Sequence, residues 1–312
     1  MNTMTYGFED DVFYIDMPTI SRPVINMRDE NDRRALEIAE TCDKIYLGMS
    51  TGVDSQAMLH AFRTQDIPVE CVFMYNPGHN DVEYNRIPLI ERKWGVKIQV
   101  IDVDIMSLES EIISYANKEH MSLINVAHRI FARMLPDDAD LVQMIHDPFV
   151  YVSTQKDLYY YQRYNGPEFG RPRAINSLNR KGKYIPYGEP IEFLYSILND
   201  DTFKGAFYAN EYFDGNGLVK PGVDVHLQTS DRWDYYIKPI IYGKYWRDEL
   251  LYFPKFGGWE NIPFMNGIYA GETLENDSEK WSREHGIMMK YHKLLDHLGN
   301  INGPIKRYRT NI

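Results

Sequence analysis

Residues 44–64 read KIYLGMSTGVDSQAMLHAFRT. The first six, 44–49, are mostly apolar, which predicts a strand buried on both faces. Apolar residues within 53–64 recur at helical spacing, which predicts a helix. The turn between these two segments consists of Ser, Thr and Gly. The pattern therefore predicts a buried strand that ends in a polar turn and leads directly into a helix.

The same alternation continues after residue 64. VECVFMY (69–75) predicts a second strand, DVEYNRIPLIERKWG (81–95) a helix, and VKIQVIDVD (96–104) a third strand. The helix contains Pro88 and is expected to end at Gly95. Strands that alternate with helices in this way are typical of a parallel sheet with helices packed against it. We therefore predict an α/β fold built on a parallel sheet flanked by helices.

The segments around this core are less regular. Residues 105–135 have a helical pattern, and 141–154 are expected to contain a fourth strand. Asn31 or Asp32 is expected to cap a helix. From about residue 165 onward, Gly, Pro and Tyr are frequent and the periodicity is weak. We divide the chain into an irregular N-terminal extension (1–30), a nucleotide-binding domain (31–165) and a mixed α/β C-terminal region on the substrate side (166–312).

The turn after the first strand has the chemistry of a phosphate site. Backbone N–H groups at a helix N-terminus have no partner within the helix and carry about half a positive charge. The hydroxyls of Ser50, Thr51 and Ser55 can donate to phosphate oxygens, and Gly52 lets the backbone approach a ligand closely. The carboxylate of Asp54 is a suitable ligand for Mg²⁺. A helix cap that binds no ligand is the alternative interpretation.

This turn resembles the PP-loop of the ATP pyrophosphatases, which reads Ser-Gly-Gly-x-Asp-Ser after the first strand of a parallel sheet. Ser50, Gly52, Asp54 and Ser55 agree with that pattern, and Thr51 replaces its first glycine. The resemblance implies a HUP-type fold of the adenine nucleotide alpha-hydrolase-like kind, as in the sulfonucleotide-reductase-like and asparagine-synthase-like branches. It also implies cleavage of ATP between the α- and β-phosphates, with Mg²⁺ as a cofactor.

The resemblance further implies which residues contact ATP. The end of the second strand would line the adenine pocket, and basic residues after the fourth strand, here Lys156 and Arg163, would face the phosphates. Solvent-exposed helix charges are the alternative interpretation of these two cations. The expected ATP-binding residues are Gly48, Met49, Ser50, Thr51, Gly52, Val53, Asp54, Ser55, Met74, Tyr75, Asn76 and Arg163. Asp54 and Lys156 are the expected catalytic residues, and Asp54 is the expected metal ligand.

Charge favours a small partner. The chain of 312 residues has a formal net charge of −11, which would repel a nucleic-acid backbone or an anionic membrane over most of the surface. We therefore expect a small-molecule or nucleotide-like substrate. The segment RPRAINSLNRKGK (171–183) is basic nevertheless. It could form a lid over the triphosphate, a docking patch for a phosphorylated or polynucleotide substrate, or a solvated loop.

The cysteines and the hydropathy indicate the compartment. Cys42 and Cys71 are flanked by segments that are expected to lie in the core, which indicates reduced, buried thiols. The N-terminus lacks the pattern of a signal peptide, and no apolar run approaches the roughly 20 residues of a membrane span. We therefore expect a cytoplasmic protein, and a homo-oligomer is left open.

Missing cysteines narrow the family resemblance. Two isolated cysteines cannot supply the zinc cluster of deazaguanine-nitrile synthases or the paired cysteines of tRNA thiolases. The C-terminus lacks the nucleophilic cysteine of sulfonucleotide reductases, and Asn2 stands where a glutaminase half would have its cysteine. We therefore predict an ATP-dependent adenylating ligase or transferase that forms a C–N bond with an amine or ammonia from solution or from a partner. The alternatives are a nucleobase- or tRNA-modifying enzyme, which would add Lys306, Arg307 and Arg309 to its contact surface, and a non-catalytic adenine-nucleotide-binding module.

Overall fold

The computed structural model describes residues 5–9, 12–16, 22–119, 123–144, 148–152, 158–162, 167–188, 190–198, 200–202, 238–254, 262 and 308–311. Lys156 and Arg163, the two cations expected at the phosphates, lie outside these ranges, and their roles stay predictions. Lys306 and Arg307 lie outside them as well.

The described residues form short strands and helices. The strands are β1 (Thr5–Glu9), β2 (Val12–Asp16), β3 (Ile45–Met49), β4 (Glu70–Tyr75), β5 (Ile98–Asp102), β6 (Asp140–Gln143), β7 (Pro148–Val152), β8 (Leu158–Gln162), β9 (Tyr184–Pro186) and β10 (Tyr308–Asn311). The helices with defined bounds are α1 (Met27–Ala39), α2 (Val53–Thr64), α3 (Asp81–Tyr84), α4 (Ile87–Trp94), α5 (Glu109–Glu119), α6 (Leu123–Arg133), α7 (Pro167–Asn176), α8 (Ile191–Leu198) and α9 (Lys238–Trp246).

Five strands form a sheet in which every neighbouring pair is parallel, in the order β5-β4-β3-β6-β9. The three strands predicted between residues 44 and 104 are β3, β4 and β5, and helix α2 has the predicted bounds of 53–64. The α/β fold with a parallel sheet flanked by helices is therefore confirmed.

The later strands differ from the prediction in detail. The strand expected within 141–154 is β6, and the rest of that segment contains β7, which pairs antiparallel with β8 in a separate hairpin. β9 was not predicted, because a strand of three residues is too short to show a periodicity. Since β9 begins at Tyr184, the parallel sheet extends past the domain boundary expected at residue 165.

The N-terminal residues are more regular than expected. β1 and β2 pair antiparallel, and β10 pairs antiparallel with β2, where an irregular extension was predicted. Helix α1 begins at Met27, and its cap is Asn26, whose side chain accepts a hydrogen bond from the N–H of Asp29 at 3.0 Å. The predicted caps, Asn31 and Asp32, were therefore wrong. Both lie inside α1, because the charged first turn of this helix hides its apolar periodicity.

The helix predicted over 81–95 is divided into α3 and α4. Pro88 lies in the first turn of α4, where a missing N–H costs no intrahelical hydrogen bond, so this proline begins a helix and does not bend one. Gly95 ends α4 as predicted, with φ of 62° in the left-handed region that glycine adopts readily. The helical pattern over 105–135 corresponds to α5 and α6.

Helices pack against both faces of the sheet. One buried cluster contains Leu47 of β3 together with side chains of α1, α2, α4, α8 and α9. A second cluster contains Tyr46 of β3 together with side chains of α5, α6 and α7. Consecutive strand residues point to opposite faces, so β3 is covered on both sides.

Both cysteines are free and buried, as predicted. Burial raises the pKa of the Cys71 thiol to about 12. Among the helices described, none combines the length and the apolar character that a bilayer crossing requires.

Candidate nucleotide site

A cavity of about 290 Å³ opens at the carboxyl ends of β3, β4 and β6. Ligands of open parallel sheets bind beyond these ends, where the strand order reverses. In this sheet β4 and β5 lie on one side of β3, and β6 and β9 lie on the other. The residues that line the cavity are Gly48, Met49, Ser50, Asp54, Ser55, Phe73, Met74, Asn76, Asn80, Glu83, His128, Phe131, Gln143, Met144, Arg171 and Ile262.

The loop between β3 and α2 forms one wall of this cavity. Gly52 is the N-cap of α2, and no side chain caps the helix there, so no cap side chain competes for the first-turn N–H groups. The Ser55 hydroxyl lies within donating distance of the carbonyl oxygens of Ser50 (2.9 Å) and Gly52 (3.0 Å). The Ser50 hydroxyl lies 3.3 Å from that of Ser55. These contacts hold the loop in a tight turn at the helix N-terminus.

The expected loop residues divide into two groups. Those that line the cavity are Gly48, Met49, Ser50, Asp54 and Ser55, and those that do not are Thr51, Gly52 and Val53. Thr51 is 1% exposed and is not among the described residues with positive φ. The backbone at position 51 therefore does not require glycine, although the buried Oγ1 of Thr51 has no hydrogen-bond partner among the described residues.

Helix α9 holds the carboxylate of Asp54. The Lys238 ammonium donates to Oδ2 of Asp54, and the Tyr242 hydroxyl donates to Oδ1 at 2.5 Å. The Lys238 side chain is 11% exposed, so water screens this ion pair only weakly. Lys238 thus places a cation beside the loop. Lys156 and Arg163 were the cations expected there. No local pattern identifies Lys238, because Lys238 and Asp54 are 184 residues apart in the chain.

Residues 247–254, which we call the docking segment, pack behind the loop. The Gln56 carboxamide of α2 donates to the carbonyl oxygens of Thr51 (3.1 Å) and Leu251 (2.8 Å), and it accepts from the N–H of Leu251 at 2.8 Å. Glu249 pairs with Arg28 of α1 at 2.7 Å. The hydrogen bond from Arg28 holds the pKa of Glu249 below its usual value. The docking segment therefore ties α1 and α2 together beneath the cavity.

The end of β4 forms a second wall. Met74 and Asn76 line the cavity, whereas Tyr75, the third residue expected in the adenine pocket, is not among the lining residues. The Tyr75 hydroxyl donates to Asp81 at 2.6 Å, which raises the pKa of Tyr75 to about 12. The side chain of Asn80 accepts from the N–H of Asn76 at 2.8 Å and donates to the carbonyl of Met74 at 3.0 Å. Asn80 therefore satisfies main-chain groups that a ligand could otherwise use.

The side chain of Asn76 is suited to a ligand. It is 5% exposed, and neither Oδ1 nor Nδ2 has a hydrogen-bond partner in the part of the chain that the structure describes. Buried polar groups without partners are costly and uncommon. A carboxamide presents a donor and an acceptor side by side, which matches the edge of an adenine base. The wall formed by β4 therefore fits the adenine of a nucleotide.

The residues at the end of β6 form the third wall. A Cβ on Gly48 would lie 2.7 Å from Cγ of Gln143, so only a glycine leaves room for that side chain. Gln143 Nε2 lies 3.4 Å from Nδ1 of His128, and the Tyr184 hydroxyl donates to Oε1 of Gln143 at 3.2 Å. Burial, and next the charge of Arg171, hold the pKa of His128 well below its usual range. His128 is therefore neutral at physiological pH.

Mg²⁺ would bind in this cavity only with phosphate oxygens among its ligands. The described residues include no group of three or more His, Cys, Asp and Glu side chains that could hold a metal ion. Mg²⁺ is usually bound by one or two carboxylates, with substrate phosphates and water as its other ligands. Asp54 and Glu83 are the acidic side chains among the described lining residues. Asp54, on the loop, would hold the ion.

The basic segment 171–183 is part helix and part exposed loop. Its first half belongs to helix α7, and Arg171 lines the cavity. Arg180 donates to backbone carbonyl groups just before β6, and the Lys181 ammonium lies 3.8 Å from Asp137. The described cations therefore lie in two places: Arg171 at the cavity, and Arg180 and Lys181 near the amino end of β6.

Part of this chain is similar to solved structures of other proteins. No family model and no curated protein sequence matches this chain. Among solved structures it is similar to an NH3-dependent NAD synthetase from Campylobacter jejuni, with 16% identity over 38% of this chain and 56% of that one and a TM-score of 0.28. It is also similar to an NMN synthetase from Francisella tularensis, with 8% identity over 38% of this chain and 54% of that one and a TM-score of 0.29. This chain thus spans just over half of the length of each.

Proposed function

We propose that this chain binds ATP with Mg²⁺ in the cavity and transfers its adenylyl group to a carbonyl or carboxylate oxygen of a small or nucleotide-like acceptor, releasing pyrophosphate. The observation that carries the proposal is the N-terminus of α2, which meets the cavity beside the Ser50 and Ser55 hydroxyls and the Asp54 carboxylate. The resemblance of this loop to the PP-loop supports ATP as the anion that binds there.

The loop would stabilise the leaving pyrophosphate. First-turn N–H groups of α2 and the Ser50 hydroxyl would donate to phosphate oxygens, and the Lys238 ammonium would add positive charge. When bound at Asp54, Mg²⁺ supplies charge neutralisation for the phosphates. The loop donors lie where negative charge develops as the bond between the α- and β-phosphates breaks.

The β4 wall would bind the base. Met74 offers an apolar surface, and the buried Asn76 carboxamide offers a paired donor and acceptor. With the adenine at this wall and the pyrophosphate at the loop, the α-phosphate would face the remaining part of the cavity. The acceptor would approach from there.

The proposed reaction consists of two substitution steps. An acceptor oxygen attacks the α-phosphorus, the bridging P–O bond to the β-phosphate breaks, and its electron pair leaves with pyrophosphate. A nitrogen nucleophile then attacks the activated carbon, loses a proton and displaces AMP, which forms the C–N bond. Burial raises the pKa of both Cys42 and Cys71, so neither thiol suits the role of nucleophile. The nucleophile would be an amine or ammonia from solution or from a partner.

One observation favours a second candidate. Both oxygens of Asp54 accept hydrogen bonds from α9, so a metal ion has to compete with Lys238 and Tyr242 for this carboxylate. A non-catalytic adenine-nucleotide-binding module would not need that carboxylate to hold a metal. It would bind nucleotide and release no pyrophosphate when metabolites and ammonia are supplied.

Calorimetric titration with an ATP analogue that cannot be cleaved between its α- and β-phosphates tests the site. We expect wild-type protein to bind the analogue in a Mg²⁺-dependent manner. Asp54→Asn should weaken this binding about tenfold or more, because it removes the charge that holds the metal. Asp138→Asn is the matched control, since Asp138 pairs with Lys44 just before β6, away from the cavity, and should bind as wild type.

The outcomes separate the possibilities. If the wild type binds no nucleotide, the ATP proposal is wrong. If Asp54→Asn binds the analogue as tightly as the wild type, with the same Mg²⁺ dependence, Asp54 is not the metal ligand. Binding without pyrophosphate release from ATP in a metabolite mixture would identify the binding module.

A further inference from the structure

The cavity has two sides, and the strand order separates them. The loop follows β3, the central strand, while Met74 and Asn76 belong to the β4 side and Gln143 and His128 to the β6 side. If the nucleotide lies on the β4 side and the loop, as proposed above, the β6 side stays available for the acceptor. The residues on that side therefore indicate which acceptor fits.

Arg171 is the cation among the described residues on this side. It extends from α7 to the cavity wall, and its Nε is buried without a hydrogen-bond partner among the described residues. A guanidinium remains charged at any physiological pH and has five N–H donors. A charged group with a buried and unpaired donor is costly unless an anion or acceptor joins it. Arg171 is therefore arranged for a partner that the described chain does not supply.

No acidic side chain among the described lining residues belongs to the β6 side of the cavity. The acidic side chains among the described lining residues are Asp54, which α9 holds, and Glu83, which lies on the β4 side. His128, whose pKa the charge of Arg171 helps to lower, is neutral and provides no negative charge. Among the described residues, the β6 side is thus polar and carries the positive charge of Arg171.

We propose that Arg171 is a specificity-determining residue that binds a carboxylate group of the acceptor. A guanidinium and a carboxylate match as two parallel N–H···O hydrogen bonds, which provide orientation as well as attraction. A neutral amide or alcohol in the same place would not compensate the charge of the guanidinium and would bind more weakly. The identification of this ligand as the acceptor rests on the proposed function, whereas the presence of an anion-binding site at Arg171 does not depend on it.

Acetate and acetamide are the probes for this site, because they share a shape and differ in charge. Nitrogen-15 spectra of the arginine Nε–H groups report binding directly, and Arg171→Gln identifies the signal of Arg171 by removing it. Arg133, which is exposed on α6 and pairs with Glu111 at 3.0 Å, provides an internal reference. The titration is run on the full chain, both without nucleotide and with the Mg²⁺-bound ATP analogue.

We expect acetate to shift the Arg171 signal along a saturating curve, while acetamide leaves it unchanged and the Arg133 signal does not move. If the Arg171 signal does not shift up to about 100 mM acetate, the dissociation constant is larger than that concentration. Such weak binding would refute the carboxylate site. So would an equal response to acetamide.

A second measurement assigns the site to the acceptor or to the nucleotide. Arg171→Gln and the control Arg133→Gln should both bind the ATP analogue within about fivefold of the wild type. A larger loss in Arg171→Gln alone would assign this guanidinium to the phosphates and overturn the proposal. If the wild type binds no analogue while acetate still shifts Arg171, the proposed function fails and the anion site stands.

Discussion

Gly48 and Gln143 are paired in the register of β3 and β6. Any side chain at position 48 would meet Gln143, so the glycine admits a polar group to the cavity wall. Gln143 in turn contacts the ring of His128, which burial keeps neutral. These three residues give the cavity, which Arg171 also lines, a wall that is polar but uncharged. Such a wall leaves the charge of Arg171 available to a ligand.

His128 makes folding stability depend on pH. Its pKa in the folded protein lies well below the ordinary value of 6.5, so the unfolded chain binds the proton more tightly. The stability that comes from the neutral ring is therefore complete above that ordinary pKa and is lost as pH falls below it. Between about pH 7.5 and 5.5, the wild type should lose about 1 kcal/mol more unfolding free energy than His128→Gln. Urea unfolding at both pH values measures the difference, and an equal loss in the two proteins would contradict a buried, neutral His128.

Helix α2 joins the ligand site to the core. Its N-terminus faces the cavity, its apolar side chains are buried against the sheet, and Asp54 and Gln56 near its start contact α9 and the docking segment. The side chain of Gln56 is fully buried and makes hydrogen bonds only to main-chain groups among the described residues. The position of the loop thus depends on an element that is distant in sequence.

Gln56→Leu tests this dependence. The substitution keeps much of the side-chain volume but leaves the N–H of Leu251 and two carbonyl groups without the Gln56 carboxamide as their partner. We expect the free energy of unfolding to fall by about 2 kcal/mol or more, measured by urea denaturation. Gln99→Leu, at an exposed position of β5, is the control and should change stability by less than about 0.5 kcal/mol. Similar losses in both variants would show that Gln56 does not anchor the docking segment.

The charge of the whole molecule bears on the choice of substrate. The net charge is −11, and described cations of the segment 171–183 contact the cavity, main-chain carbonyl groups or an acidic residue. Arg180, Lys181 and Lys183 line one cavity together with Arg34, whereas Arg171 lines the candidate nucleotide site. A tRNA backbone needs several Lys and Arg side chains on a common surface. The net negative charge favours a small acceptor over a nucleic acid, and the described surface that a tRNA would contact is this basic cluster.

Binding to tRNA can be measured by fluorescence anisotropy. At about 0.15 M salt we expect a dissociation constant weaker than about 10 μM, in the range of non-specific binding. Added ATP should not tighten it. Submicromolar binding that falls steeply with salt would support the nucleobase- or tRNA-modifying alternative instead.

Local sequence was sufficient for β3, the polar loop, α2, β4 and β5. The strands and the helix show a continuous run or a periodicity of apolar residues within one short segment, and the loop is recognised from the types and order of its residues. The same reasoning missed β9, which is too short to show a period, and misplaced the start of α1, whose charged residues mask its buried face. It also could not divide 81–95 into two helices.

No local sequence pattern predicts the contacts between segments that are distant in the chain. The pairing of Lys238 with Asp54 joins residues 184 positions apart, and that of Gln56 with Leu251 joins residues 195 positions apart. The unpaired carboxamide of Asn76 and the buried Nε of Arg171 are likewise recognised only from their surroundings. An amino-acid pattern records spacing along the chain, whereas these groups acquire their roles from distance in space and from burial. The loop and the end of β4 were therefore evident from residue types and the family resemblance, while the cation at Asp54 and the buried Nε of Arg171 emerged only from packing.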